Sequence, residues 1–296
     1  MSALPPLAPP QELAPPRPAA SVILLRDGPN GLEALLLERP SDDRVLSGAQ
    51  VFPGGKVDPE DADEAWAARF GTTATALCTR LGEPDLEPLD ALALRVAAVR
   101  EVFEETGLLL AREADHAQAR RAQAMRREGL AFAEIVETLD LRFDAAALPP
   151  WSRWVTPRVP SQMRRRFDTR FFAAVLPQGQ AVVHDPTEAV AAAWWNPREA
   201  ITRYHQGELE MAAPQLMTLA HLARCRTVAE ALAEAIRQVP PVIRPEPHER
   251  PNGRLLCYPG DPGHPVAERA LPGPTRLIFE QGRFRPESGR LEAWFE

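Results

Sequence analysis

Arg100-Glu101-Val102-Phe103-Glu104-Glu105-Thr106-Gly107-Leu108 is the stretch on which the fold assignment turns. Ahead of it Leu92, Val96, Val99 and Phe103 recur at helical spacing. At about 100° per residue they share one stripe, which predicts a core-facing side. Glu101, Glu104 and Glu105 fall on the opposite side, at i, i+3 and i+4. Leu94, Ala97 and Ala98 extend that side, and the alanines leave room for a loop to lie close. Asp90 reads as the N-cap and Gly107 as the C′ glycine. Three carboxylates in one turn repel by roughly 0.2–0.5 kcal/mol per pair in water. A divalent cation would turn that repulsion into a reason for the cluster; a solvated acidic face is the plain alternative.

Outward from the helix, the chain before it reads as a hairpin and a glycine loop. Residues 21–26 and 32–39 are expected as two strands joined by Gly28-Pro29-Asn30-Gly31. A polar loop with Arg44 follows, then Gly48-Ala49-Gln50-Val51-Phe52-Pro53-Gly54-Gly55-Lys56-Val57-Asp58. Its paired glycines allow positive φ and a close backbone approach. Residues 59–89 read as an insertion, and 111–140 as a helical insertion whose Arg120, Arg121, Arg126 and Arg127 form a solvated face. Strands are expected over 151–157, 166–176, 181–184 and 189–195. Helices follow from Asn196-Pro197, from Pro214 and from Thr227. Residues 1–20 form a Pro-rich, disordered or extended tail, 21–238 the main domain, and 239–296 a Pro-rich C-terminal extension with a hairpin around Gln281-Gly282.

Composition bounds the class. The 296 residues are 45% hydrophobic and 25% charged, ordinary for a globular protein. The net charge of −7 argues against a general nucleic-acid binder. A phosphate substrate must then be attracted locally, by a metal and a few arginines. Cys78, Cys225 and Cys257 are too far apart for a disulfide framework or a metal motif, which fits a reducing cytoplasm. No segment has the length and apolarity of a membrane span.

Arg100 to Leu108, preceded by the Gly54-Gly55 loop, resembles the box of the Nudix hydrolases. In outline that box runs Gly, five residues, Glu, seven residues, then Arg-Glu-apolar-x-Glu-Glu-x-Gly-apolar. The last nine positions match without a miss. Counted back from Arg100, the first box Glu falls on Leu92, and the box is interrupted by residues 59–89. Leu35-Leu36-Leu37-Glu38-Arg39-Pro40, with Arg44, Gly48 and Phe52-Pro53-Gly54-Gly55 at matching spacing, is similar to the signature of coenzyme A diphosphatases. Arg165-Arg166-Phe167-Asp168-Thr169 and Trp195-Asn196-Pro197-Arg198-Glu199-Ala200 are similar to the peroxisomal acyl-coenzyme A diphosphatase branch.

The resemblance implies an α/β fold, a Nudix α/β/α sandwich with a mixed central sheet. It implies hydrolysis of the diphosphate of coenzyme A or an acyl-coenzyme A to adenosine 3′,5′-bisphosphate and (acyl-)phosphopantetheine. Oxygen-only ligands suit Mg²⁺ or Mn²⁺, and Glu101 and Glu105 with Glu104 are the expected ligand set. Arg100 orients a box glutamate, and Glu104 or Glu188 supplies the general base. Arg39, Arg44, Phe52, Gly54, Gly55 and Arg166 are expected to meet the substrate, the arginines by bidentate pairing with phosphate. The expected partner is a small-molecule diphosphate, with no nucleic acid and no membrane; a homodimer stays open. Two rivals remain: a Nudix hydrolase of a dinucleotide or sugar nucleotide, and a nucleotide-binding module that has lost catalysis, for which Leu92 speaks.

Overall fold

The computed structural model describes residues 15–40, 48–157, 166–184, 189–237, 239–250 and 253–296. The first strands are β1 (Arg17–Gly28), β2 (Gly31–Glu38), β3 (Gln50–Val51) and β4 (Gly54–Lys56). Helices α1 (Trp66–Phe70), α2 (Ala74–Leu81), α3 (Pro88–Thr106), α4 (His116–Arg127) and α5 (Phe132–Thr138) follow. Next come β5 (Pro150–Val155), β6 (Phe167–Val175), β7 (Ala191–Trp195), α6 (Pro197–Gln206), α7 (Ala213–Leu222) and α8 (Val228–Arg237). The chain closes with β8 (Val242–Ile243), β9 (Glu246–Arg250), β10 (Gly253–Cys257), β11 (Arg276–Glu280) and β12 (Arg283–Pro286).

β1 begins four residues before the expected start of the domain, because Ala19 and Ala20 are buried between β4 and β6. The rest of the expected tail, residues 1–14, lies outside the described residues. The main sheet runs β3-β2-β1-β6-β5-β8, with β4 on β1 and β7 on β2. It is mixed: β1 pairs parallel with β6 and antiparallel with β2 and β4. Both faces are covered, as strict alternation shows. Ala20, Val22, Leu24 and Phe172 face a core built with α1 to α5. Ile23, Leu25, Phe171 and Ala173 face α6 to α8 and part of the C-terminal segment. Each large apolar side chain fully buried this way contributes about 1.5–3 kcal/mol.

Several boundaries differ from the sequence expectation. α3 is capped at Glu87 with Pro88 at N1, so Asp90 lies in its first turn; proline's preset φ starts the helix earlier. Leu94, Ala97 and Ala98 are as buried as the predicted stripe, so α3 is covered on every side from Ala91 to Val99. Residues 181–184 form no strand; Val183 N–H instead bonds the Thr106 carbonyl at 2.8 Å, across the end of α3. The expected extension joins the main body: β8 pairs with β5, and Leu256, Tyr258, Leu271, Leu277 and Trp294 enter the α6–α8 core.

Residues 59–89 are tied to the sheet by charge. Glu83 pairs with Arg153 at 2.6 Å and Arg170 at 2.5 Å, and Asp168 pairs with the same two arginines at 2.6 and 3.0 Å. Asp168 thus answers both Arg170 and Arg153.

In the second sheet, β12-β11-β10-β9, Asp261 closes the long connection after β10. Its buried carboxylate accepts from Arg276 Nε and Nη2 at 2.9 Å and from Gly263 N–H at 2.7 Å. The Arg276 guanidinium holds it at about 2, below the ordinary 3.8. A carboxyl depressed on folding stabilises above its unfolded value and loses that stabilisation as pH falls through the folded one. Asp261 is therefore expected to contribute roughly 2 kcal/mol at neutral pH, fading between about pH 4 and 2. Denaturant unfolding at stepped pH checks this: Asp261→Asn should remove that acid-side slope.

Candidate active site

α3 is buried from Ala91 to Val99, so its exposed first turn and its last turns are what can present carboxylates, and the β1–β4 pairing brings a loop to meet the last ones. The register sets Ser21 opposite Gly54 and Ala20 opposite Gly55. Ser21 Oγ and Val22 N–H both donate to the Pro53 carbonyl, at 3.0 and 2.8 Å, and fix the loop's approach. Gly54 has φ +152°, and a Cβ there would run into Ala20 and Ser21 backbone. A Cβ on Gly55 would strike the Glu101 carboxylate. Both glycines are needed for backbone to lie against the acids. Gly54 N–H donates to Glu105 Oε2 at 2.8 Å.

Arg100 is the hub. Its Nε and Nη2 donate to Asp61 Oδ1 and Oδ2 at 2.9 and 2.8 Å, a bidentate pair. Its Nη1 donates to Glu101 Oε1 at 2.8 Å and Glu104 Oε2 at 3.2 Å, and Nη2 also reaches the Lys56 carbonyl at 3.1 Å. Burial pulls the guanidinium down, but Asp61's hydrogen bonds and the charges of Glu101, Asp61 and Glu104 outweigh it and hold it above its ordinary value. Arg100 stays charged and is committed to orienting acids.

Asp61 corrects the sequence reading. It stands six residues after Gly55, where the box has its first acid, and only 3% of its side chain is exposed. Its Oδ2 also accepts from Asp58 N–H at 2.8 Å, which fixes its own turn. Leu92 is a core residue with no bearing on the box. The interruption falls after the acid rather than before it. Counting forward from the glycines would have found it.

The other expected residues are placed as follows. Arg39, half-buried, follows β2 with its N–H on the Ala49 carbonyl at 3.0 Å. Phe52, just past β3, is 2% exposed and meets Phe171 edge-on, on the α6–α8 side of the sheet; this packing in the core opposes the substrate role expected of it. Arg166 donates through Nη2 to the Thr156 carbonyl at 3.0 Å, where β5 and β6 meet. Arg44 and Glu188 lie outside the described residues, as do Arg164 and Arg165. The sequence also gave no warning of Gln123 and Arg126, which reach the end of α3 from α4.

The chemistry of the donor set fits a hard cation. Glu101, Glu104 and Glu105 offer only carboxylate oxygen, as Mg²⁺ and Mn²⁺ prefer, and the missing side chain of Gly55 lets the Glu101 carboxylate lie against the loop backbone. Among the described residues no three His, Cys, Asp or Glu side chains converge on one point in the way a bound ion requires. Arg100 holds Glu101 and Glu104 by one oxygen each, so closing on an ion calls for small side-chain rotations. Among the described residues no helix is long and apolar enough to cross a membrane.

Comparison with known proteins bears on the family and the fold. The acyl-coenzyme A diphosphatase NUDT19 of Homo sapiens is 30% identical over 237 residues, covering 68% of this chain and 63% of that protein. Its Xenopus laevis counterpart is 27% identical over 67% of this chain and 61% of its own length. The chain thus spans less than two thirds of these relatives. A crystal structure of a NUDIX hydrolase from Alicyclobacillus acidocaldarius superimposes with TM-score 0.58 and 30% identity, over 74% of this chain and 96% of that one. The fold is accordingly the Nudix sandwich expected from the sequence. The NUDT19 Nudix domain matches residues 7–222, most of the chain, and the protein belongs to that Nudix family.

Proposed function

We propose that this protein is a Nudix diphosphatase that hydrolyses the diphosphate bond of coenzyme A or an acyl-coenzyme A, giving adenosine 3′,5′-bisphosphate and (acyl-)phosphopantetheine. The observation that carries this is the Arg100 hub, which gathers Asp61, Glu101 and Glu104 beside a loop bare of side chains. The names of the relatives and the spacing from Leu35 to Gly55 support the substrate class.

Glu101 and Glu105, with Glu104, would hold Mg²⁺ or Mn²⁺, which when bound neutralises diphosphate charge and acidifies a water. Arg100 aims Glu101 and Glu104, and the Gly54 N–H aims Glu105. Gly54 and Gly55 let the loop backbone seat against β1 and the glutamates. Arg39 and Arg44 are assigned to the phosphates, and Glu104 or Glu188 to proton abstraction from the attacking water. The inactive binding module rested on Leu92 standing for the missing acid. With Asp61 on Arg100, that support is gone.

The test is a panel of coenzyme A, acyl-coenzyme A, NADH, ADP-ribose and dinucleoside polyphosphates, each with Mg²⁺, Mn²⁺ or EDTA. Coenzyme A or its acyl ester should be cleaved fastest, and EDTA should stop the reaction. A dinucleotide or ADP-ribose turned over faster would move the assignment to the rival substrates. Loss of all metal-dependent cleavage would leave a binding module.

A further inference from the structure

We propose that the helical insertion works in metal binding: Arg126 and Gln123 of α4 are positioning residues for the carboxylate turn of α3. The inference rests on the metal-dependent reading above and concerns residues outside the box. A helix leaves its last four carbonyls without intrahelical donors, and its last turn frays unless something else supplies them. In α3 that turn carries Glu104 and Glu105. Gly107 N–H returns to the Phe103 carbonyl at 2.8 Å, as a C′ glycine does. The next carbonyl, that of Glu104, accepts Arg126 Nη1 at 2.7 Å. The Thr106 carbonyl accepts Val183 N–H, and the Gly107 carbonyl accepts Gln123 Nε2 at 2.8 Å.

The peptide that Arg126 grips joins Glu104 to Glu105, so α4 sets the plane between two of the three acids. Arg126 is half-buried, while Arg120, Arg121 and Arg127 are exposed; one member of the arginine run leaves the solvated face for this contact. α4 is itself firmly placed, with Ala119 and Ala122 in the core and an Asp115–Gln118 capping box. A cation at this end of α3 also complements the helix dipole. Mg²⁺ and Mn²⁺ respond to small errors in ligand geometry, and loss of a group that orients ligands typically weakens metal binding about 10–100-fold.

Two physical effects pull in opposite directions, which makes the test decisive. Removing a positive charge near three carboxylates would tighten cation binding. Loosening the turn would weaken it. Calorimetric titration of the full chain with Mn²⁺, without substrate, reads the sign directly. Arg126→Ala is expected to weaken Mn²⁺ roughly tenfold, with Arg126→Lys recovering part of the loss and Gln123→Ala showing a smaller one. At saturating Mn²⁺ the KM for coenzyme A should stay unchanged. Should Arg126→Ala fail to fold, Gln123→Ala carries the test. Unchanged or tighter Mn²⁺ binding in folded variants would overturn the positioning role, even with a lowered melting temperature. A wild-type protein that binds no Mn²⁺ would instead overturn the metal site on which it rests.

Discussion

Glu105→Gln is expected to lower turnover of coenzyme A by roughly a hundred- to a thousandfold while the protein still folds. The substitution keeps the shape of the side chain and one carbonyl oxygen. The Gly54 N–H that now bonds Glu105 Oε2 at 2.8 Å therefore retains an acceptor, and the loop keeps its seat. What disappears is one negative charge on the turn proposed to hold the metal. The measurement is kcat at saturating Mg²⁺ or Mn²⁺ beside a melting curve. A rate near that of the wild type would sink the role given to this cluster.

Asp61→Ala should be damaging in two ways at once. Arg100 has 12% of its side chain exposed and would lose both hydrogen bonds of its bidentate pair. Removing one partner of a buried ion pair typically destabilises by about 3–5 kcal/mol, which urea unfolding would register. The guanidinium would also be released toward Glu101 and Glu104, drawing on the charge they need, so turnover should fall by about tenfold or more. Asp61→Glu restores the acid type that the Nudix box itself uses and should keep most of the stability. If Asp61→Ala melted and turned over like the wild type, Asp61 would not be the box acid.

The parts of this protein that were legible in its sequence are those written in local periodicity. The stripe from Leu92 to Phe103 predicted α3, and Gly107 predicted its end, because helical spacing and a left-handed C′ residue are properties of consecutive positions. The double glycine before it announced a close approach. Contacts made across the chain were less visible. Asp61 was hidden because counting back from Arg100 assumes an unbroken box, and the extra chain spoils that register. Phe52 looked like a substrate contact by its neighbourhood, yet it packs edge-on against Phe171 in the core on the far face. Arg126 looked like its exposed neighbours, since nothing in one sequence tells which arginine of a run meets a helix end. The N-cap moved from Asp90 to Glu87 because proline outranks a distant cap in starting a helix.

The pair between Arg100 and Asp61 also closes a ring of polypeptide that contains α1 and α2, and Glu83 pins the same ring to β5 and β6. Closing a flexible loop becomes harder only logarithmically with its length, by about 0.6 kcal/mol per doubling. One well-made buried contact can offset several doublings. Extra chain between these two staples therefore costs little where it loops out at exposed turns such as Gly71 and Gly82, while the buried Trp66, Phe70, Leu77 and Leu81 keep α1 and α2 in the core.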